Sequence, residues 1–253
     1  QPQDWLVAFH ELKHKPTFWW MTAGASMVAF VGYGLISFQA PFLQREHGLS
    51  VRDAAIQFGA PLSLLAALGT FLGGYITEKL TPFSQTAVAW VPAVGLLVAV
   101  PAYILAFYVD DLNTLLILWG IGAVCHYAYL GAQYNIGQGV VSNRSRAAAI
   151  AILLIAVSLV GNGLGPYFVG FMSDFFMRQQ LVELDITGQL TATTCLANAV
   201  DLDAVQRSIC DLANSTGLKQ AISLTVCWFI LAAGCFFMSA RTLKRDFVAK
   251  LVD

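Results

Sequence analysis

The chain has 253 residues, of which 57% are hydrophobic and 11% are charged, and its formal net charge is −1. Soluble domains average roughly 45–50% apolar and about 25% charged residues. A soluble fold of this length could not bury such an excess of apolar side chains in one core, so the surplus must face lipid. Because the chain has no basic or acidic run, nothing in it indicates a nucleic-acid partner.

The first segment, residues 1–16, has the pattern of a helix lying in the membrane interface. Trp5, Phe9 and Leu12 recur at helical spacing, and basic residues precede Pro16. No charged region is followed here by an apolar run with a cleavage site, so the segment is not a signal peptide. We therefore predict an interfacial linker helix that leads into the first membrane span.

Six apolar stretches are each long enough to cross a bilayer, which takes about 20 residues. None carries an acid or a lysine at its centre, and four of the five connections between them are short. Backbone polar groups in lipid must be bonded internally, so these stretches can only be helices. The sequence thus predicts an all-α bundle, over residues 17–253, of six transmembrane helices. The predicted spans are 17–43, 54–77, 85–109, 114–140, 146–173 and 218–240.

The basic residues near the ends of the spans favour one orientation in the membrane. Nine lysines and arginines fall on the side that holds both ends of the chain, and five fall on the other side. Since basic residues are retained on the cytoplasmic side, we expect both termini to be cytoplasmic. The host membrane would be a plasma membrane or a bacterial inner membrane.

The connection between the fifth and sixth spans, residues 174–217, is far longer than the others and falls on the outer side. Cys195 and Cys210 lie in it, and an oxidising compartment would let them form a disulfide; two free thiols are the alternative. Four apolar residues after Asp201, a plausible helix cap, predict a short amphipathic helix within the loop. They are Leu202, Val205, Ile209 and Leu212.

Three patches differ from ordinary lipid-facing helix. Gly73-Gly74 and Glu78-Lys79 close the second span, Arg144–Ala147 opens the fifth, and Gly161–Pro166 lies within the fifth. Glycines let helices approach closely, so we interpret the glycine runs as packing sites. The second run is not a dinucleotide-binding loop, because no strand precedes it. The predicted packing residues are Gly69, Gly73, Gly74, Gly161, Gly165 and Pro166.

The order and spacing of these patches resemble the major facilitator superfamily. Gly-x-x-x-Glu-Lys at Gly74–Lys79 resembles the cytoplasmic loop signature in the C-terminal half of that family. Arg144–Ala147 and the glycine run before Pro166 look like its tenth-to-eleventh helix region. Tyr129–Ala132 and Pro41–Leu43 are similar to spinster-like members. The resemblance implies that the spans are helices seven to twelve, with an N-terminal six-helix half as partner.

The resemblance also implies a cytoplasmic gate, in which charges link helices in one state and part in the other. Its residues would be Glu78, Lys79, Arg144 and Arg146. The alternative is that these side chains only anchor helix ends at the lipid headgroups. Proton coupling, as the family implies it, would depend largely on ionisable residues of the N-terminal half.

Polar side chains inside spans are costly in lipid and by default indicate function. His126 is the only histidine within a predicted span, and Tyr129 and Gln133 share its helical stripe. The resemblance implies that this helix borders a central cavity; a neutral histidine bonded to a neighbouring helix is the alternative. The candidate cavity residues are Tyr33, Gln39, Gln57, Ser63, His126, Tyr129, Gln133, Tyr134 and Asn162.

The pattern as a whole favours a secondary transporter that moves a small amphipathic or lipid-like solute by alternating access. The resemblance to spinster-like members implies the lipid-like solute, and coupling to protons stays open. The runner-up is efflux or uptake of a drug or metabolite. Two other readings are a membrane scaffold or receptor domain and a homodimeric six-helix transporter. The sequence has no paired acids or nucleophile–base motif at membrane depth and no metal-ligand spacing, so we expect no enzyme, cofactor or metal site.

Overall fold

The computed structural model describes residues 4–184, 190–196 and 202–248, and within them it contains helices and no strand. Six of the helices are long and apolar enough to cross a membrane, which confirms the predicted all-α architecture. In chain order the helices are α1 (Asp4–Lys13), α2 (Pro16–His47), α3 (Val51–Leu80), α4 (Ala87–Phe107), α5 (Leu112–Gly139), α6 (Arg146–Leu184), α7 (Ala192–Leu196) and α8 (Ala204–Asp246).

The six long helices run alternately up and down, and α2 lies at the centre of the bundle. It packs against α5, α6 and α8, and the side chains between them form one apolar core. Phe18 and Met21 of α2 and Phe229 and Phe236 of α8 are all fully buried in it. By contrast, few side chains of α3 and α6 are fully buried, so these two helices present the broadest open apolar faces.

Helices α3 and α5 cross where glycines remove side chains from the contact. A Cβ atom added to Gly73 would lie 2.5 Å from the Ala128 Cα atom, and one added to Gly69 would meet the backbone of Val124. The two backbones are therefore in direct contact. Gly74, which we predicted to serve the same purpose, differs, because nothing lies within 4 Å of a Cβ atom placed there.

Helices α2 and α6 cross in the same way. A Cβ atom on Gly161 would lie 2.8 Å from the Ala29 Cβ atom, and one on Gly165 would meet the carbonyl of Phe30. At this contact α6 widens into a π-helical turn, Leu159–Leu164, which contains Gly161. Such a turn fits the chain here because the next residue but one is a proline, which has no N–H group to continue the α-helical bonding.

The outer connection between α6 and α8 is shorter than the predicted loop over residues 174–217. Helix α6 continues to Leu184 and α8 begins at Ala204, so both ends of that range are helical. The predicted amphipathic helix is therefore the outer part of α8 and no separate element. The sequence was misread because hydropathy marks where a helix leaves lipid, whereas helical bonding continues through the polar residues beyond.

The start of α8 is defined by a capping box. The Asp203 carboxylate accepts a hydrogen bond of 2.8 Å from the N–H group of Gln206, whose side chain accepts one from the Asp203 N–H group. This exchange satisfies two N–H groups at the start of the helix that have no intrahelical partner. The cap that we predicted, Asp201, lies outside the described residues.

The outer hairpin of α6 and α8 is braced by a disulfide. Cys195 of α7 and Cys210 of α8 are bonded, with their Cα atoms 5.3 Å apart. A small apolar cluster, separate from the main core, accompanies this bond and consists of Met177, Leu181, Ala192 and Ala213.

We expect the double substitution Cys195→Ser and Cys210→Ser to lower the free energy of unfolding by roughly 3 kcal/mol, because the bond closes a loop of 15 residues. Thermal unfolding in detergent, with and without reductant, measures the effect. Cys227→Ser is the control, since Cys227 is an exposed free thiol and its loss should leave the midpoint unchanged. If the parent protein unfolds at the same midpoint with and without reductant, the prediction is wrong.

At the inner end, the last residue of α8 caps the first turn of α2. Asp246 is only 3% exposed, and its carboxylate accepts hydrogen bonds from the Thr17 N–H group (3.0 Å) and hydroxyl (2.8 Å). The Lys15 ammonium donates to the Asp246 carbonyl oxygen (2.8 Å), and Arg245 Nε donates to the carboxylate (3.0 Å). A carboxylate at a helix N-terminus satisfies orphan N–H groups and opposes the helix dipole.

Helix α1 is also held to the bundle. Leu12 is fully buried, and the Glu11 carboxylate accepts hydrogen bonds from the Ser142 N–H group (3.1 Å) and hydroxyl (2.9 Å) in the turn between α5 and α6. Partial burial raises the pKa of Glu11, but the hydrogen bonds from Ser142 and Ser145 and the charge of Lys15 lower it by more, so the net pKa is below its ordinary value. Glu11 is therefore an ionised link between α1 and that turn.

Candidate functional site

A cavity of about 440 Å³ lies between α2, α3 and α5 and reaches Tyr103 of α4. Most of its lining is apolar or small, and the polar lining residues are Gln39, Ser63, Tyr103, His126 and Tyr127. A neighbouring cavity of about 230 Å³ shares Gly32, Ile36, His126 and Tyr127 with it. None of the residues that line either cavity is charged.

His126 stands where the two cavities meet, inside a set of aromatic rings that we call the His126 cluster. The cluster consists of His126, Tyr103, Tyr127, Tyr129 and Phe229. The imidazole centroid lies 4.6 Å from the Tyr127 ring centroid, 4.7 Å from that of Phe229 and 6.0 Å from that of Tyr129. Its Nδ1 atom is hydrogen-bonded to the Tyr103 hydroxyl at 3.3 Å.

Gly32 of α2 makes room for this arrangement. A Cβ atom added to Gly32 would lie 3.1 Å from the His126 Cε1 atom, closer than ordinary van der Waals contact. The imidazole ring therefore rests on the bare backbone of α2. The hydrogen bond to Tyr103 and this contact together fix the ring, as a binding group requires if it is to present one nitrogen in a constant direction.

The opposite wall of the larger cavity is a widened stretch of α3. Ala55 and Gly59 line it and belong to a π-helical turn, a local geometry that is frequent at functional sites. The Ser63 hydroxyl, one turn further on, donates to the Gly59 carbonyl oxygen at 2.7 Å. Because its hydrogen is used within the helix, Ser63 can act toward a bound molecule only as an acceptor.

The structure brings five of the nine predicted cavity residues to these two cavities. Gln39 and Ser63 line the larger one, Tyr33 and Tyr129 line the smaller one, and His126 lines both. These residues come from three different helices, so the cavities exist only through the packing of α2, α3 and α5.

The other four predicted residues line neither cavity. Gln57, Tyr134 and Asn162 have exposed side chains. Gln133 is 2% exposed, and its Oε1 atom has no hydrogen-bond partner among the described residues. Their role in solute binding stays a prediction that the cavities do not support.

Sequence reasoning missed Tyr103, Trp119, Tyr127 and Phe229 as candidate site residues. Each lies in a stretch rich in apolar residues, where an aromatic side chain is usually interpreted as core or lipid-facing. Only tertiary contact places Tyr103 of α4 and Phe229 of α8 against His126 of α5. No pattern along a single helix could have indicated these contacts.

The four predicted gate residues all lie at the inner end of the bundle. Glu78 is exposed and makes no ion pair within the described part of the chain, and the Lys79 ammonium lies 5.7 Å from the Tyr75 ring centroid. The Nε atom of Arg146 is buried without a hydrogen-bond partner among the described residues, and Arg144 opens the turn before it. The structure therefore gathers these charges at one end without joining Glu78 to either arginine.

Comparison with known proteins identifies relatives in one group of membrane transporters. A family model described as the Organic Anion Transporter Polypeptide (OATP) family matches residues 1–110. An "MFS-type efflux pump" of Mycolicibacterium smegmatis is 28% identical over 163 residues, or 64% of this chain and 38% of its own length. Protein spinster homolog 1 of Mus musculus is 28% identical over 192 residues, or 70% of this chain and 36% of its own.

Two solved structures are similar over nearly the whole chain. Both are crystal structures of a bacterial homolog to the human lysosomal transporter Spinster, in inward-facing conformations. The unoccupied one has a TM-score of 0.86 and 46% identity, covering 96% of this chain and 51% of its own. The occupied one has a TM-score of 0.85 and 47% identity, covering 94% and 52%.

The chain thus spans about half the length of these solved relatives and under two fifths of the curated ones. Its six spans and its packing superpose on that half across almost every residue. The chain is therefore an integral membrane protein of the major facilitator superfamily, and it resembles the spinster-like members.

Proposed function

We propose that this chain forms one wall of the solute pathway in a secondary transporter, and that this wall receives the uncharged part of a small amphipathic or lipid-like solute. The His126 cluster carries the proposal, because it places one oriented imidazole among aromatic rings at the meeting point of two cavities. An apolar pocket with a few convergent polar groups is the usual form of a small-molecule site.

The polar groups on this wall define the kind of solute. The Gln39 amide can both donate and accept, Ser63 can accept, and His126 can do either according to its tautomer. No charged side chain lines the cavities, so a charged head group would have to meet its partner outside this wall. In our proposal that partner lies on an N-terminal six-helix half, and the spans of this chain are helices seven to twelve.

Alternating access is the mechanism that best fits this arrangement. Major facilitator folds hold a solute near the bilayer midplane and rock two halves around it. The solved relatives adopt inward-facing conformations, one unoccupied and one occupied, which supports such a cycle for them. For this chain we propose that the exposed faces of α3 and α6 meet the other half. Coupling to protons, where it occurs, would then use groups of that half.

The same proposal assigns the gate and the orientation. Glu78 and Lys79 at the end of α3 and Arg144 and Arg146 around the start of α6 would form the gate. Glu78 would pair with the two arginines when the pathway closes at the inner end. The basic residues concentrated at this end favour its placement in the cytoplasm, which would put both termini of the chain there.

Flux in proteoliposomes tests the proposal. We expect His126→Ala, in the full transporter, to reduce uptake of a fluorescent lysophosphatidylcholine by about 10-fold, the loss that one good hydrogen bond produces. His14→Ala is the matched control, because His14 is exposed directly after α1 and lines neither cavity, and it should transport at the parental rate. A correctly folded His126→Ala protein with unchanged flux for every solute transported would refute the assigned cavity.

Efflux of a drug or metabolite is the second candidate, favoured by the similarity to an "MFS-type efflux pump". This alternative uses the same cavity as the first proposal but assigns a different solute to it. Transport of ethidium without transport of the lysolipid would select this alternative. Binding of either compound without flux would instead favour a scaffold or receptor domain.

A further inference from the structure

One face of α8 points away from the bundle, and we call it the outward stripe. It is apolar along the span and becomes basic near the inner end of the helix. Ile230 and Phe237 are 50% and 37% exposed, and one turn beyond them the same stripe presents Arg241, Lys244 and Arg245. Residues three and four apart share a helix face, so the three basic side chains follow directly on the apolar ones. This pattern matches a membrane lipid, whose acyl chains are apolar and whose head group carries the charge.

This stripe faces away from the bundle. The opposite side of α8 is buried against α2 and α4 through Phe229, Phe236 and Leu243. The polar contacts that the described residues show for the stripe stay within α8, from Arg241 to the Met238 Sδ atom and from Arg245 to Asp246. In an integral membrane protein such a face contacts lipid. Its basic end also lies beside the first turns of α2, because Asp246 contacts Thr17 there.

The first turns of α2 place this basic end at head-group depth. Trp19 and Trp20 are half-exposed, and the Trp19 indole N–H group donates to the Leu12 carbonyl oxygen at 2.9 Å. Tryptophan is enriched at the boundary between the hydrocarbon and the head groups. The basic end of the α8 stripe is thus level with the phosphates of one leaflet.

Among the described residues, only Arg245 of these three basic residues has an acidic partner. Asp246 is the only acid in the last turns of α8, and it is already bonded to Thr17 and Arg245. The Arg245 side chain remains 69% exposed. Arg241 and Lys244 are exposed and form no ion pair within the described part of the chain.

We propose that the outward face of α8 binds one anionic phospholipid. Its acyl chains lie along Ile230 and Phe237, and Arg241 and Lys244 bind its phosphate. A zwitterionic lipid fits the apolar part equally well but gains less from the basic end, because its own amine opposes these charges. Basic residues beside a membrane attract anionic lipid with about 1 kcal/mol each.

Native mass spectrometry of the purified protein, titrated with phosphatidylglycerol and with phosphatidylcholine, tests this site. We expect Arg241→Gln with Lys244→Gln to weaken phosphatidylglycerol binding by about 30-fold and to leave phosphatidylcholine binding unchanged. Arg245 is left in place because it bonds Asp246. The matched control is Arg52→Gln with Arg178→Gln, two exposed arginines at the outer end, which should bind phosphatidylglycerol like the parent.

Three outcomes would overturn the proposal. They are unchanged phosphatidylglycerol binding in the α8 variant, an equal loss in the control variant, and a parent protein that binds both lipids alike. The measurement needs no transported solute, so its result does not depend on whether the transport proposal is correct.

Discussion

We expect Gly73→Ala to lower the free energy of unfolding by about 3 kcal/mol and Gly74→Ala, one residue further on, not to lower it. At position 73 the new methyl group would lie 2.5 Å from Ala128 Cα and 2.7 Å from Ala128 Cβ. Backbone atoms cannot swing aside as a flexible side chain can, so α3 and α5 would have to separate along their crossing. At position 74 the methyl group enters open space, and alanine is the better helix former by about 1 kcal/mol.

Unfolding in detergent–SDS mixtures, followed by tryptophan fluorescence, measures both variants under the same conditions. Because the two substitutions are chemically identical and adjacent, differences in hydrophobicity and composition cancel between them. Equal stabilities for the two variants would show that α3 and α5 do not cross at Gly73.

We expect Asp246→Ala to lower the free energy of unfolding by about 3 kcal/mol. The substitution removes the acceptor of the Thr17 N–H group, which is then left unpaired in a buried place. The Thr17 hydroxyl loses one partner, and its remaining partner is the Thr242 hydroxyl at 2.6 Å. It also removes the negative charge that opposes the dipole of α2. The Lys15 hydrogen bond goes to the backbone of residue 246 and should survive.

Asp246→Asn is the matched control for this prediction. Its amide oxygen can still accept from Thr17, so the loss should be near 1 kcal/mol and should reflect mainly the missing charge. The same unfolding assay at neutral pH compares the two variants. If the two substitutions lower the free energy of unfolding equally, the hydrogen bonds to Thr17 contribute nothing to stability. The interpretation of Asp246 as a helix cap is then wrong.

The adjacent glycines show where prediction from sequence reached its limit. The six spans and the interfacial helix could be predicted from the length and spacing of the apolar residues. Backbone polar groups in lipid must be hydrogen-bonded within the segment, and a helix achieves this. Which glycine touches a neighbour depends on the rotation of each helix about its axis. Gly73 and Gly74 differ by about 100° in that rotation, and nothing in the spacing of α3 alone distinguishes them.

The candidate site could likewise be predicted only in part from the sequence. His126 was singled out because a histidine within a span is exceptional, and Gln39 and Ser63 because polar residues there are costly. Tyr103 and Phe229 carried no such signal, since aromatic residues are common in membrane helices. Their contacts with His126 join residues 23 and 103 positions apart, and they depend on how α4 and α8 are seated against α5.

The outer extensions of α6 and α8 also have a mechanical consequence. At 1.5 Å per residue, helices of 39 and 43 residues are about 58 and 64 Å long, roughly twice the 30 Å thickness of the hydrocarbon layer. Their outer parts pack on each other, and the disulfide ties α7 to α8, so together they form a stiff rod that extends beyond the membrane. A tilt of about 10° at mid-membrane would move a tip roughly 35 Å away by about 6 Å. Because the displacement is largest at the tip, spectroscopic labels placed there would detect helix movements that are too small to resolve near the cavity.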